Sequence, residues 1–165
     1  MIAAGEGHLQ WYSDVGEYKI RIPDHLLIHS NEVSNLCNFV YGGLQANFND
    51  KNWLCSRAII SPTNTAVEEI NEIIMERFPS NDTMVYKSVD RVLEGSDTVY
   101  PVEFLNTLRS SGMPPHKLNL KVGCSIILLR NLDPRNGHVN GTRYVVRKLY
   151  QRIIEAEIAF GDHAE

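Results

Sequence analysis

Apolar residues recur three and four positions apart between Asn31 and Phe48, the spacing of an amphipathic helix. The residues in this pattern are Val33, Leu36, Cys37, Val40, Tyr41 and Leu44. Gly42 and Gly43 interrupt it, and two adjacent glycines disfavour helix. The pattern therefore predicts a helix that is weakened or broken at this pair.

A second helical pattern follows a short apolar run at 57–60, which is consistent with a buried strand and is ended by Ser61-Pro62. Thr65 and Glu68 have the spacing of a capping box, in which each side chain accepts from the other residue's amide at the start of a helix. Pro79 is expected to end that helix. Strand, polar turn and helix together predict the β-loop-α unit of an α/β layer.

The apolar pattern shortens to that of strands further along the chain. Alternation predicts short strands at Tyr18–Ile22 and around Met84–Tyr86, 101–108 reads as a short helix, and Pro114-Pro115 marks a break. Three strand-length segments then follow without room for helices between them: 122–129, 142–150 and 152–160. They predict a small antiparallel sheet or barrel.

Composition narrows the class of protein. The chain has 165 residues, 43% of them hydrophobic, and a net charge of −4. Three cysteines without a Cys-x-x-Cys pair favour reduced thiols in an intracellular compartment. No apolar run approaches the roughly 20 residues of a membrane-spanning helix.

The charge is unevenly distributed along the chain. Between positions 109 and 152, nine Lys and Arg residues stand against one acidic residue, Asp133. Such asymmetry indicates an anionic partner, and the alternative is a solvated basic face that binds nothing.

A self-contained catalytic site is not evident in the sequence. The chain has no Gly-Lys step and so no P-loop for nucleotide phosphates, and it has no Asp-Glu pair to hold Mg²⁺. The six histidines lack metal-ligand spacing on a helix, and Cys55 lacks an evident base partner. No catalytic or metal-ligating residue is therefore predicted.

Two segments do carry candidate chemistry. The polar turn 61–65 offers free amides and hydroxyl groups at a helix N-terminus, which suits a phosphate. The alternative is simple helix capping, which position alone favours and which explains Thr65 fully and Asn64 partly. The segment 123–146 is a strand, a loop, the turn-forming pair Asn140-Gly141 and a second strand. Its arginines could grip a phosphate backbone: Arg130, Arg135 and Arg143.

The same two segments carry a family resemblance. Leu120 through Asp133, continued by Gly137 and 140–143, and Arg57 through Asn64 resemble motifs of Pif-type DNA helicases, and more narrowly of the helicases encoded by Helitron transposons. The supporting matches, in the same order along the chain, are Gly5-Glu6-Gly7, Ile22-Pro23, 86–90 and 100–106.

The resemblance implies an α/β fold, with a partial RecA-like motor domain followed by a small SH3-like antiparallel β barrel. Residues 1–54 would be the end of the first motor domain and a linker. Residues 55–112 would begin the second RecA-like domain, and residues 113–165 would form part of the barrel insertion.

Helicases of this family are superfamily 1 motors that use ATP and Mg²⁺ to move 5′ to 3′ along single-stranded DNA and unwind duplex. The resemblance places their Walker A and B motifs upstream of Met1 and their late motifs downstream of Glu165. ATP and Mg²⁺ would then bind mainly outside this chain, and the 165-residue chain alone is expected to be inactive.

The resemblance also suggests DNA-binding residues. Pro62, Thr63 and Asn64 match the turn that lies by the single-stranded DNA track in this family. The second segment adds the candidates Arg130, Asn131, Arg135, Asn140 and Arg143. Two residues depart from the family pattern: His138 stands where an apolar residue is usual, and Tyr144 replaces a common glycine.

The expected function is therefore part of an ATP-dependent DNA helicase in replication, repair, recombination or Helitron transposition. Its partners would be single-stranded DNA and the remainder of the helicase chain, in the nucleus and away from membranes. The alternative is a non-enzymatic module, derived from such a helicase, that binds nucleic acid or protein.

Overall fold

The computed structural model describes residues 22–92, 100–108 and 113–161. The chain divides into two units, Met1–Leu36 and Cys37–Glu165. The described helices and strands follow one another in this order: α1 (Val33–Tyr41), α2 (Leu44–Asn47), α3 (Lys51–Cys55), α4 (Asn64–Arg77), β1 (Thr83–Lys87), α5 (Val102–Leu105), β2 (Lys117–Lys121), β3 (Ser125–Ile127), β4 (Arg143–Leu149) and β5 (Ile154–Ile158). The strand predicted at Tyr18–Ile22 lies, apart from Ile22, outside the described residues.

The described part of the first unit contains a short 3-10 helix, Asp24–Leu26, which follows Pro23. Just before α1, the Ser30 hydroxyl accepts hydrogen bonds from the Glu32 amide (3.2 Å) and from Asn35 Nδ2 (2.7 Å). These bonds fix the chain where α1 begins.

The predicted interruption at Gly42-Gly43 is confirmed, because α1 ends at Tyr41 and α2 begins at Leu44. A Cβ atom at Gly42 would lie 2.5 Å from the Asn38 carbonyl oxygen. Only glycine fits this close approach of the backbone.

The strand predicted at 57–60 is wrong. These residues pair with no strand of the described chain, and the Ile60 side chain is 92% exposed. An apolar run becomes a strand only where a neighbouring strand takes its backbone hydrogen bonds. Of the predicted β-loop-α unit, the helix is therefore present and the strand is not.

The capping box at Thr65 and Glu68 is also wrong. Helix α4 begins two residues earlier than the capping box requires, and the Thr63 hydroxyl caps it by accepting from the Ala66 amide (3.4 Å). The helix ends at Arg77, two residues before Pro79, as the sequence predicts.

All pairings among the described strands are antiparallel. Strands β1 and β2 form a two-stranded sheet, and β3, β4 and β5 form a three-stranded sheet with β4 in the centre. The three-stranded antiparallel sheet that the sequence predicts is confirmed, but the barrel alternative is not, since β3 and β5 remain edge strands within the described residues.

The strand predicted at 122–129 begins too early. Gly123 has a φ of +91° and turns the chain between β2 and β3. Its amide donates to the Val146 carbonyl (2.8 Å), while the Val146 amide donates to the Cys124 carbonyl (3.0 Å). The turn thereby places β3 beside β4, with which it pairs.

One core holds the second unit together, and it joins helices to both sheets. Its buried members are Leu44, Leu54, Cys55, Phe78, Leu120, Cys124, Val145, Val146 and Ala159. These residues come from all three of the segments 1–54, 55–112 and 113–165, whose assignment as domains stays a prediction. Cys37, Cys55 and Cys124 are free, buried thiols, and burial raises the pKa of the Cys124 thiol.

The position of the core predicts that two leucine-to-alanine substitutions have different effects on the free energy of unfolding. Leu120 is 3% exposed and Leu132 is 74% exposed. We expect Leu120→Ala to lower the free energy of unfolding by about 2–5 kcal/mol, because it leaves a cavity in the core. Leu132→Ala should change it by less than about 0.5 kcal/mol. Urea unfolding followed by circular dichroism measures both, and equal losses would contradict this assignment of the core.

Candidate nucleic-acid interface

The connection between β3 and β4, residues 128–142, is a loop closed by its own hydrogen bonds. Asp133 and His138 form an isolated antiparallel bridge, in which the His138 amide donates to the Asp133 carbonyl (3.0 Å). Between them lies a 3-10 helix, Pro134–Asn136, which ends at Gly137 with a φ of +79°. Arg135 therefore lies at the tip of an ordered loop.

Side chains brace the base of this loop. The Asn131 carboxamide oxygen accepts from the Asn140 amide (2.8 Å), and the Thr142 hydroxyl donates to the Gly137 carbonyl (2.9 Å). The Gly141 amide also donates to the Leu128 carbonyl (2.8 Å). Asn131 and Asn140 are thus brought together, and the described contact of Asn131 is structural.

The two residues that depart from the family pattern contact each other. The rings of His138 and Tyr144 are stacked, with centroids 6.0 Å apart and planes 8° from parallel. A hydrogen bond of 2.8 Å joins His138 Nδ1 to the Tyr144 hydroxyl, and burial raises the pKa of this tyrosine. The pair fixes the loop to the buried strand β4, a role that neither residue suggests in the sequence by itself.

The three arginines predicted to grip phosphate have different surroundings. Arg143 is half-buried, and its Nη1 donates to the Cys55 carbonyl at the end of α3 (3.0 Å). Arg130 and Arg135 are exposed, and their side chains make no hydrogen bond or ion pair with another described residue. All N–H donors of Arg130 and Arg135 are therefore available to an anion, while one nitrogen of Arg143 already donates a hydrogen bond within the fold.

The predicted turn Pro62–Asn64 is separate from this loop. All three residues are exposed, and the Thr63 hydroxyl is occupied by the helix cap described above. No hydrogen bond or ion pair between described residues links the turn to residues 128–142. The structure thus brings together Arg130, Asn131, Arg135 and Asn140, with Arg143 at their base, and leaves Pro62–Asn64 on another segment.

Comparison with known proteins agrees with this placement of the loop. Residues 103–149 match the family model of the DNA helicase Pif1, 2B domain. The match covers less than a third of the chain, from α5 through β4, and contains the whole loop. It supports a Pif1-like DNA helicase fragment, and we call residues 103–149 the 2B-like segment. A search of curated proteins finds no match to the chain.

Much of the positive charge in and beside the 2B-like segment is compensated in the fold. Arg147 forms an ion pair with Glu157 on β5, and Lys148 pairs with Glu155 on the same strand (3.4 Å). The Lys121 ammonium group donates to the Phe78 carbonyl (2.8 Å). The two glutamates lie outside the 109–152 window, so the charge count in the sequence overstated the free positive charge. On the described loops of the 109–152 window, the uncompensated charge is that of Arg130, Arg135 and Arg152.

The described ranges show neither a metal-binding cluster nor a membrane-spanning helix. No group of three or more His, Cys, Asp and Glu side chains there is suited to hold a metal ion. None of the described helices is long and apolar enough to cross a membrane.

The different surroundings of Arg143 and Arg130 predict that their substitution changes the free energy of unfolding by different amounts. We expect Arg143→Met to lower the free energy of unfolding by about 1–3 kcal/mol, because the Cys55 carbonyl loses its charged donor. Arg130→Met removes the same charge from an exposed side chain and should change stability by less than about 0.5 kcal/mol. Thermal and urea unfolding measure both variants, and a fully stable Arg143→Met protein would show that the bond contributes little.

The Arg147–Glu157 pair predicts a pH dependence. The hydrogen bond from Arg147, assisted by Lys51, holds the pKa of Glu157 below its usual range. A lowered pKa stabilises the fold above the ordinary glutamate pKa of about 4.3, and this contribution is lost as the pH falls through the native value. The unfolding free energy of Glu157→Gln should therefore lie below wild type by up to about 1 kcal/mol at neutral pH and converge with it in acid. A difference that is independent of pH would contradict this account.

Proposed function

We propose that this chain is the DNA-contacting part of a Pif1-type, ATP-dependent DNA helicase, and that the loop between β3 and β4 holds the phosphates of single-stranded DNA through Arg130 and Arg135. The observation that supports this most directly is the pair of exposed, unpaired arginines on a closed loop inside the 2B-like segment. Arginine suits this task because its planar guanidinium group can give two hydrogen bonds to one phosphate.

The loop that carries Arg130 and Arg135 is held in place by its own hydrogen bonds, which favours binding. A side chain on a mobile loop loses conformational freedom on binding, which costs affinity. Here the 3-10 helix, the Asp133–His138 bridge and the Asn131–Asn140 bond hold the loop before DNA arrives. The arginines therefore need little further ordering.

In the parent enzyme, we propose translocation 5′ to 3′ on single-stranded DNA driven by ATP and Mg²⁺, with Helitron transposition or DNA repair and recombination in the nucleus as its setting. The nucleotide would be held by the remainder of the helicase chain, since this sequence contains no P-loop motif. Pro62–Asn64 would provide a second backbone contact through the turn and its amides.

The test is the salt dependence of single-stranded DNA binding. Arg130→Gln combined with Arg135→Gln should weaken binding of a labelled oligonucleotide several-fold at low salt. It should also reduce the slope of log K against log salt by about 1.4, because each phosphate contact formed with a single strand releases about 0.7 of a counterion and two such contacts are lost. Fluorescence anisotropy over a salt series measures both quantities.

Arg152→Gln is the matched control, since it removes an exposed arginine from the turn at the other end of β4. That turn lies roughly 20 Å from the loop, at about 3.4 Å per strand residue. The control should retain nearly the wild-type slope. A control slope that falls by about 0.7, half the effect of the double variant, would show that the loop is only part of a general positive surface. Unchanged binding by the double variant would refute the proposed role of the loop.

A further inference from the structure

A shallow cleft lies beside the β3–β4 loop, at the start of β4 and the end of β5. It has a volume of about 320 Å³ and is lined by Gly137, Gly141, Thr142, Arg143, Ile158, Phe160 and Gly161. The Ala159 amide donates to the Arg143 carbonyl (2.8 Å), which places Phe160 next to the beginning of β4. The cleft therefore has one wall from the loop and one from β5.

The walls of this cleft suit a flat aromatic ligand. Three of the lining residues are glycines with left-handed φ values, and a Cβ at Gly141 or Gly161 would meet no atom within 4 Å. These glycines expose backbone in place of side chains and leave open space. Phe160, 45% exposed, contributes an apolar aromatic side chain to the lining of that space.

The charge of the cleft is positive. Arg143 is its ionisable lining residue, and neither Asp nor Glu lines it. A guanidinium group carries five N–H donors, of which the described hydrogen bond to Cys55 uses Nη1. The remaining donors can face a polar or anionic ligand. Gly137 and Gly141 belong to the same loop as Arg130 and Arg135, so one wall of the cleft is part of the loop that is proposed to hold phosphates.

We infer that this cleft is a nucleobase subsite, in which one base of single-stranded DNA stacks on Phe160 while the adjoining phosphates contact the arginines of the loop. This inference rests on the proposed function and adds a base contact to it. Base–aromatic stacking tolerates every base, because each base has a π-face.

A second recess on the same unit is a useful comparison. It includes Tyr150, which is 47% exposed and thus closely matches Phe160. Its cations, Arg147 and Lys148, are paired with Glu157 and Glu155, and Asp82 lines it as well. An exposed aromatic residue in these surroundings lacks the free positive charge that would hold DNA nearby.

The test compares a short oligothymidylate with an abasic strand of the same length, which keeps the phosphates and lacks the bases. Wild type should bind the strand with bases at least about five-fold more tightly. Phe160→Ala and Phe160→Leu should remove this preference without changing affinity for the abasic strand, and Phe160→Trp should keep it. Tyr150→Ala, the matched control, should keep it too. Thermal unfolding of each variant checks that the fold is retained.

Phe160→Trp also gives a direct readout. Its added fluorescence should be quenched by oligothymidylate and not by the abasic strand, because stacking on a base quenches an indole ring while phosphate contact does not.

The possible outcomes distinguish failure of the base subsite from failure of the proposed DNA-binding function. Equal wild-type affinity for both strands, with the salt slope intact, would overturn the base subsite and leave the phosphate contacts standing. A preference for bases that survives Phe160→Ala would also overturn it. Absence of any single-stranded DNA binding by wild type would refute the proposed function, and the subsite with it.

Discussion

The burial of β4 is the constraint on which the rest of the second unit depends. Tyr144, Val145 and Val146 are consecutive buried residues, and consecutive strand residues point to opposite faces of a sheet. Both faces of β4 must therefore be covered. Part of the cover comes from the helical residues Leu44, Leu54 and Cys55 together with Phe78 and Leu120, which share one core with Val145 and Val146. The other part comes from the β3–β4 loop, through the stacked pair of His138 and Tyr144.

This constraint separates the structural cations from those that are free to bind. Near the buried strand, a cation either satisfies a backbone carbonyl, as Arg143 does for Cys55, or pairs with a carboxylate, as Arg147 does with Glu157. Where the chain leaves the sheet, at Arg130 and Arg135, the guanidinium groups have no partner among the described residues, and the same is true of Arg152 in the turn between β4 and β5. The positive charge of the candidate interface is thus located where the loop has left β3 and has not yet entered β4. The proposed base subsite lies at the same point because β5 ends beside the beginning of β4.

Periodicity in the sequence correctly predicted the elements whose pattern reports burial: the helices before and after Gly42-Gly43, the helix that ends before Pro79, and the strands β4 and β5. It failed at 57–60, because an apolar run does not show whether a partner strand exists. It also misplaced the helix cap, since Thr63 and Thr65 are both suitable hydroxyls two residues apart. The family resemblance located the loop, but the bond from Arg143 to Cys55 joins residues 88 positions apart. No local pattern could have predicted it, and so three similar arginines could not be told apart.

Neither kind of contact proposed for this surface identifies a base. A guanidinium group on a phosphate carries no sequence information, and a phenyl ring stacks on any base. A protein that moves along DNA must release and regain its hold at every step, and a contact that favoured one sequence would stop it there. Contacts to phosphate and to the π-face have nearly the same strength at each nucleotide, so they hold the strand without fixing its register. The combination of two free arginines with a glycine-walled aromatic cleft is therefore better suited to following a strand than to recognising a site on it.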